Sequence, residues 1–142
     1  MTLPFADPVA LTRELVRIDS RNPSLAIGAP GEGECARALA DVLRGWGMRV
    51  ELQEAAPGRP NVIARAGRGR GRSLMLNGHL DTVGVDRMRH EPYAAEERDG
   101  RLYGRGATDM KGGIAAMAAA AARAAAGRRA PGPRGRGGVA RR

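Results

Sequence analysis

The stretch SLMLNGHLDTV, residues 73–83, decides how the rest of the chain is read. Leu74, Met75 and Leu76 form a short continuous apolar run, the pattern of a strand buried on both faces. It ends in a polar turn that carries His79 and Asp81, two residues apart. In extended backbone, side chains at that spacing lie on one side. A neutral imidazole is a good zinc ligand, and a neighbouring carboxylate can fix its tautomer. A single His and Asp in a turn are also a common structural hydrogen-bonded pair, so the motif alone does not establish a metal site.

Working outward, Val9, Leu11, Leu15, Val16 and Ile18 fall mostly at helical spacing behind Asp7 and Pro8, which predicts a helix over 8–18 with Asp7 as its N-cap. Residues 21–30, with their Asn-Pro pair, read as a loop. A second helix is predicted over 32–46, burying Cys35, Leu39, Val42 and Leu43, with Cys35 as a core residue. Strands are predicted over 49–53, 61–66 and 73–77, and a hairpin over 94–103 that turns at Asp99-Gly100. An Ala-rich helix from Met110 to about Ala126 follows. Helices alternating with strands make this an α/β chain, and in such sheets ligand chemistry gathers where buried strands end.

The net charge of +9 is misleading until it is located. Residues 118–142 hold seven Arg and no acid, so the first 117 carry 17 cations against 15 anions. Those last 25 residues include ten Ala, five Gly, two Pro and a single Val, too little apolar surface to offset the entropy of ordering them. The reading is one domain over 1–126 and a disordered Arg/Gly/Pro-rich tail over 127–142. The alternating Gly and Arg of residues 67–72 read as a solvated turn, with a phosphate-contacting loop as the alternative. The tail lacks the interleaved aromatics of a stacking platform. A nucleic-acid partner is therefore not expected. No apolar run approaches the roughly 18 residues of a membrane span and the N-terminus lacks the features of a signal peptide, so a cytoplasmic location is expected, which one unpaired Cys fits.

A second segment, YGRGATDMKGG at 103–113, lies where the last helix begins. Glycines on both sides of Arg105 let backbone pass close to a site. Asp109 has two readings: Thr108 or Asp109 caps the helix, or the Asp109 carboxylate bridges two metal ions.

GHLDTV at 78–83 together with DGRLYGRGATDMKGG at 99–113 resembles the metallopeptidase and amidohydrolase family that contains acetylornithine deacetylase, succinyl-diaminopimelate desuccinylase, aminoacylase and bacterial glutamate carboxypeptidase. LVRIDSRNPS at 15–24, GEGECARALADVLRGWG at 31–47 and GRPNVIAR at 58–65 are similar to the preceding family segments, in order. The resemblance implies the N-terminal part of a zinc-peptidase-like catalytic domain, three-layer α/β/α with a mixed, mainly parallel sheet. It implies His79 as a metal ligand, Asp81 as the carboxylate that orients His79, and Asp109 as the ligand bridging two divalent ions, zinc or cobalt. The implied activity is hydrolysis of the amide bond of N-acyl amino acids or small peptides by a metal-activated water, in a family that often forms homodimers.

The chain departs from the family pattern after Asp109, beyond which it has no Asp, Glu or His. The family's general-base Glu, its remaining ligands and its inserted dimerisation domain are therefore without counterparts, and His90 in RHEPY (89–93) reads as a loop residue beside the site rather than a third ligand. The abrupt Arg/Ala/Gly/Pro bias at the end predicts a truncated or frameshifted reading frame and an inactive fragment. A non-functional fragment, or a basic-tailed nucleic-acid binder, is the alternative. Asp19 stands where the family often has Pro, which predicts a looser junction after the first helix.

Overall fold

The computed structural model describes residues 3–67, 69 and 71–127. Two of the three Arg in 67–72, and the Arg-rich stretch after Gly127 expected to be disordered, lie outside the described residues. The first helix, α1, spans Pro8–Arg17. Asp7 caps it, its Oδ1 accepting from Val9 N at 2.9 Å and Ala10 N at 3.0 Å, and Pro8 opens the first turn, where no N–H is needed. Helix α2 spans Gly33–Gly45 and buries Cys35, Ala36, Leu39, Ala40, Val42 and Leu43 on one stripe.

Strands β1, Arg49–Ala56, and β2, Arg59–Arg65, form an antiparallel hairpin in which Leu52 faces Val62. Strands β3, Glu96–Arg98, and β4, Arg101–Tyr103, form a second. As its sequence predicts, this one turns at Asp99-Gly100, where φ is +51° and +71°, the double positive φ that a tight two-residue hairpin turn requires. Helix α3 spans Gly112–Gly127. Its small side chains Ala115, Ala119 and Ala122 lie in the same core as Leu11 and Leu15 of α1 and the stripe of α2. The fold is α/β.

The strand predicted over residues 73–77 is not formed. Leu74 and Met75 are 83% and 85% exposed, and no strand pairs with them. A strand buried on both faces needs a neighbour in the sheet and a layer on each face, and the described residues supply neither. For the same reason the mainly parallel sheet is absent among them: both paired sheets are two-stranded and antiparallel, and the parallel pairing present is the single bridge between Arg21 and Thr82. At the junction after α1, Asp19 is bonded to Arg21. Its carboxylate accepts from Arg21 N at 3.1 Å and from Arg21 Nη2 at 2.7 Å, closing the turn.

Candidate metal centre

Two segments, 79–82 and 106–111, are brought together, and both are anchored to the C-terminal end of α1. The loop leaving α1 runs alongside the first of them. Ser20 Oγ donates to Leu80 O at 2.7 Å, Thr82 N donates to Ser20 O at 2.9 Å, and Asn22 N donates to Thr82 O at 2.8 Å.

The second segment is held by Lys111. Its side chain is fully buried, and Nζ donates to Ile18 O at 2.9 Å and to Leu15 O at 2.8 Å, the latter also accepting from Ile18 N at 3.3 Å. Burial lowers the Lys111 pKa from its ordinary value, an effect that the nearby Cys35 and Asp19 oppose. Gly106 makes the approach possible: it has φ of +80°, and a Cβ there would sit 2.7 Å from Thr82 Cγ2. Between Gly106 and Lys111 the chain forms an irregular turn over Ala107–Lys111, in which Asp109 leaves helical geometry with φ −122° and ψ 96°.

That departure aims Asp109 away from the helix and towards His79. His79 Nε2 lies 3.1 Å from Asp109 Oδ1. The other ring nitrogen, Nδ1, lies 3.0 Å from Asp81 O and 3.3 Å from Asp81 Oδ1, so His79 and Asp81 do share one side. Asp81 Oδ2 in turn accepts from Asn22 Nδ2 at 2.7 Å. Burial pulls the His79 pKa down, but the bonds with Asp81 and Asp109 and the two negative charges outweigh it, and the net shift is upward.

The separation of His79 and Asp109 suits a shared cation as well as a direct hydrogen bond. Ligands at about 2.0–2.1 Å from one tetrahedral zinc stand about 3.3 Å apart. The donor set is half of a shell: among the described residues, no group of three or more His, Cys, Asp or Glu side chains is gathered to hold a metal ion. His90 lies on the wall of the same cleft, of about 600 Å³, with Arg87, Arg105 and Thr108. Its ring packs edge-on against Tyr103 at 5.8 Å, rather than joining the ligand pair.

Sequence reasoning brings out His79, Asp81 and Asp109, but not Ser20, Asn22 or Lys111, which hold them. Lys111 carries a signal of its own, being the one Lys in a chain whose other 23 cationic side chains are Arg. No helix among the described residues is long and apolar enough to cross a membrane.

Residues 75–134 match the sequence model of peptidase family M20/M25/M40. Succinyl-diaminopimelate desuccinylase 2 of Ruegeria sp. (strain TM1040) is 41% identical over 119 residues, covering 81% of this chain and 28% of that protein. Succinyl-diaminopimelate desuccinylase of Paracoccus denitrificans is 40% identical over 121 residues, covering 83% and 30%. Its namesake from Cereibacter sphaeroides (strain ATCC 17029) is 43% identical over 122 residues, covering 81% and 29%. The chain thus spans less than a third of the length of these relatives.

Proposed function

The chain belongs to peptidase family M20/M25/M40, a family of metal-dependent peptidases and deacylases, and from that premise we propose that it carries half of the metal centre of an amide-cleaving hydrolase. The observation that carries this reading is the 3.1 Å approach of His79 Nε2 to Asp109 Oδ1 across 30 residues of sequence. In this reading His79 and Asp109 hold zinc, or cobalt in its place, and Asp81 keeps His79 in the tautomer that leaves Nε2 free to bind it. When bound, such an ion polarises an amide carbonyl and makes a bound water acidic.

The substrate class is an N-acyl amino acid or small peptide, with the N-succinyl group in the names of the desuccinylases as the leading acyl candidate. The three-layer α/β/α domain is completed in this reading by segments the described residues lack, which would cover Leu74 and Met75 and supply the remaining ligands and a carboxylate base. By itself the chain is then a metal-binding but inactive half-site. A cytoplasmic setting and the family's homodimer belong to the same proposal.

Zinc content of chelator-treated, reconstituted chain tests it. The expected result is stoichiometric zinc that both His79→Ala and Asp109→Ala abolish, with no amide hydrolysis. Zinc content no higher in the wild type than in the two variants would overturn the reading.

A further inference from the structure

Asn22 lies outside the ligand pair, yet every hydrogen-bonding group it has is used. Its backbone N donates to Thr82 O at 2.8 Å, and its backbone O accepts from Leu25 N at 2.9 Å and Ala26 N at 3.0 Å. Side-chain Oδ1 accepts from Ser24 N at 2.9 Å, and Nδ2 donates to Asp81 Oδ2 at 2.7 Å, a residue 59 positions away. This set fixes which way the amide faces. Turned over, its carbonyl would meet the Asp81 carboxylate and its NH2 would meet the Ser24 N–H, two repulsive contacts in place of two bonds.

A carboxylate held at one oxygen presents the other in a defined direction. Asp81 Oδ2 is taken by Asn22, and Oδ1 is left 3.3 Å from His79 Nδ1, which also faces the Asp81 carbonyl at 3.0 Å. Two acceptors at Nδ1 favour the N–H there, so that an ion between Nε2 and Asp109 would meet the Nε2 lone pair, whereas without an ion the Asp109 carboxylate at 3.1 Å competes as an acceptor for a proton on Nε2. The cation that could draw Asp81 elsewhere is occupied: Arg59 feels the Asp81 charge, but its Nε is bound to both carboxylate oxygens of Glu32, at 2.9 and 3.0 Å.

We propose that Asn22 is a positioning residue for the metal centre, clamping the Asp81 carboxylate against His79 so that the ring presents Nε2 to the ion. This rests on the metal-site reading above, and the test separates the two. Asn22→Ala removes the clamp and the side-chain bond to Ser24 N, and keeps the backbone bonds to Leu25 and Ala26. Asn22→Asp keeps the acceptor for Ser24 N and replaces the donor to Asp81 by a second carboxylate, so it breaks the clamp while leaving the bond to Ser24 in place.

Two readouts are taken on the full chain. The first is the tautomer of His79 in metal-free protein carrying Asp109→Ala, which removes the competing acceptor at Nε2, from its ring nitrogen NMR shifts at a pH where the ring is neutral, with the signal assigned by its loss in His79→Ala. The second is cobalt affinity from the visible absorption of the bound ion. The expected result is a predominantly Nδ1-protonated ring while Asn22 is present, a preference lost in both Asn22 variants. Cobalt binding weakens about tenfold in both, the lower end of the range for groups behind a ligand. Charge alone would make Asn22→Asp bind cobalt more tightly.

A His79 tautomer unmoved in Asn22→Asp overturns the positioning role, whatever cobalt does. A tautomer that shifts in both variants, with no His79-dependent cobalt binding in the wild type, upholds the positioning role and overturns the metal reading instead.

Discussion

Lys111 places its ammonium group 2.8 Å from the carbonyl oxygen of Leu15, 96 residues earlier in the chain. Through this contact the segment carrying Asp109 is pinned to the end of α1, the same end from which the loop holding His79 and Asp81 departs. Lys111→Met keeps most of the volume and removes both carbonyl bonds. Hydrogen bonds from charged groups contribute about 1.5–3 kcal/mol each, and Met avoids part of the cost of burying an ammonium group, so the variant is expected to lose about 2–4 kcal/mol of stability in urea unfolding and to weaken zinc retention. Unchanged stability would show that the two carbonyls find other partners.

Gly106 is expected to tolerate no side chain. Gly106→Ala forces a residue with Cβ into positive φ, a cost of about 1–3 kcal/mol, and drives that Cβ against Thr82. The expected outcome is a lower melting temperature together with loss of zinc, because Thr82 lies in the segment that carries His79. Gly100→Ala makes a useful comparison, since Gly100 also has positive φ but a Cβ there would meet nothing within 4 Å, which leaves the backbone cost alone.

Acid is expected to weaken the junction after α1. Burial pushes the Asp19 carboxyl up, but its bonds with Arg21 outweigh this and hold it below the ordinary 3.8. A depressed carboxyl stabilises the fold at any pH above its unfolded value, and that contribution is lost as pH falls through the folded value. Thermal melts taken between about pH 5 and pH 2 should therefore fall more steeply in the wild type than in Asp19→Asn. At the alkaline end Tyr93, pushed up to about 12 by burial and then by Asp19, stabilises the fold below pH 10, and that contribution is lost as pH rises through about 12.

The run Leu74–Leu76 is expected to drive self-association. Replacing Leu74 and Met75, both largely exposed, by Glu and Lys should raise the monomer fraction in sedimentation velocity. Stability should change by no more than about 0.5 kcal/mol, as for other surface sites. A wild type that is already monomeric at high concentration would refute the prediction.

This apolar run also marks how far the fold is legible in the sequence. Signals closed within a few residues are met in the structure: Asp7 with Pro8, the stripe of α2, the double positive φ at Asp99-Gly100. The run at 74–76 speaks of neighbours a strand would need, and periodicity carries no information on whether they are present. The site divides in the same way. His79 and Asp81 are readable because two residues of extended chain place them together, and Asp109 because its segment carries a long motif. Asn22 and Lys111 act across 59 and 96 positions, through an amide and an ammonium group that no local pattern distinguishes from solvated ones.

The burial of Lys111 also makes the chain a reporter of its own opening. Its single ε-amino group is enclosed in the folded state, so an amine-acylating reagent, which also labels the α-amino group, finds no side-chain amine to modify on the folded surface of the described residues. Each event that exposes the end of α1 would leave a permanent mass increment at residue 111, and a timed series of mass spectra would count such openings.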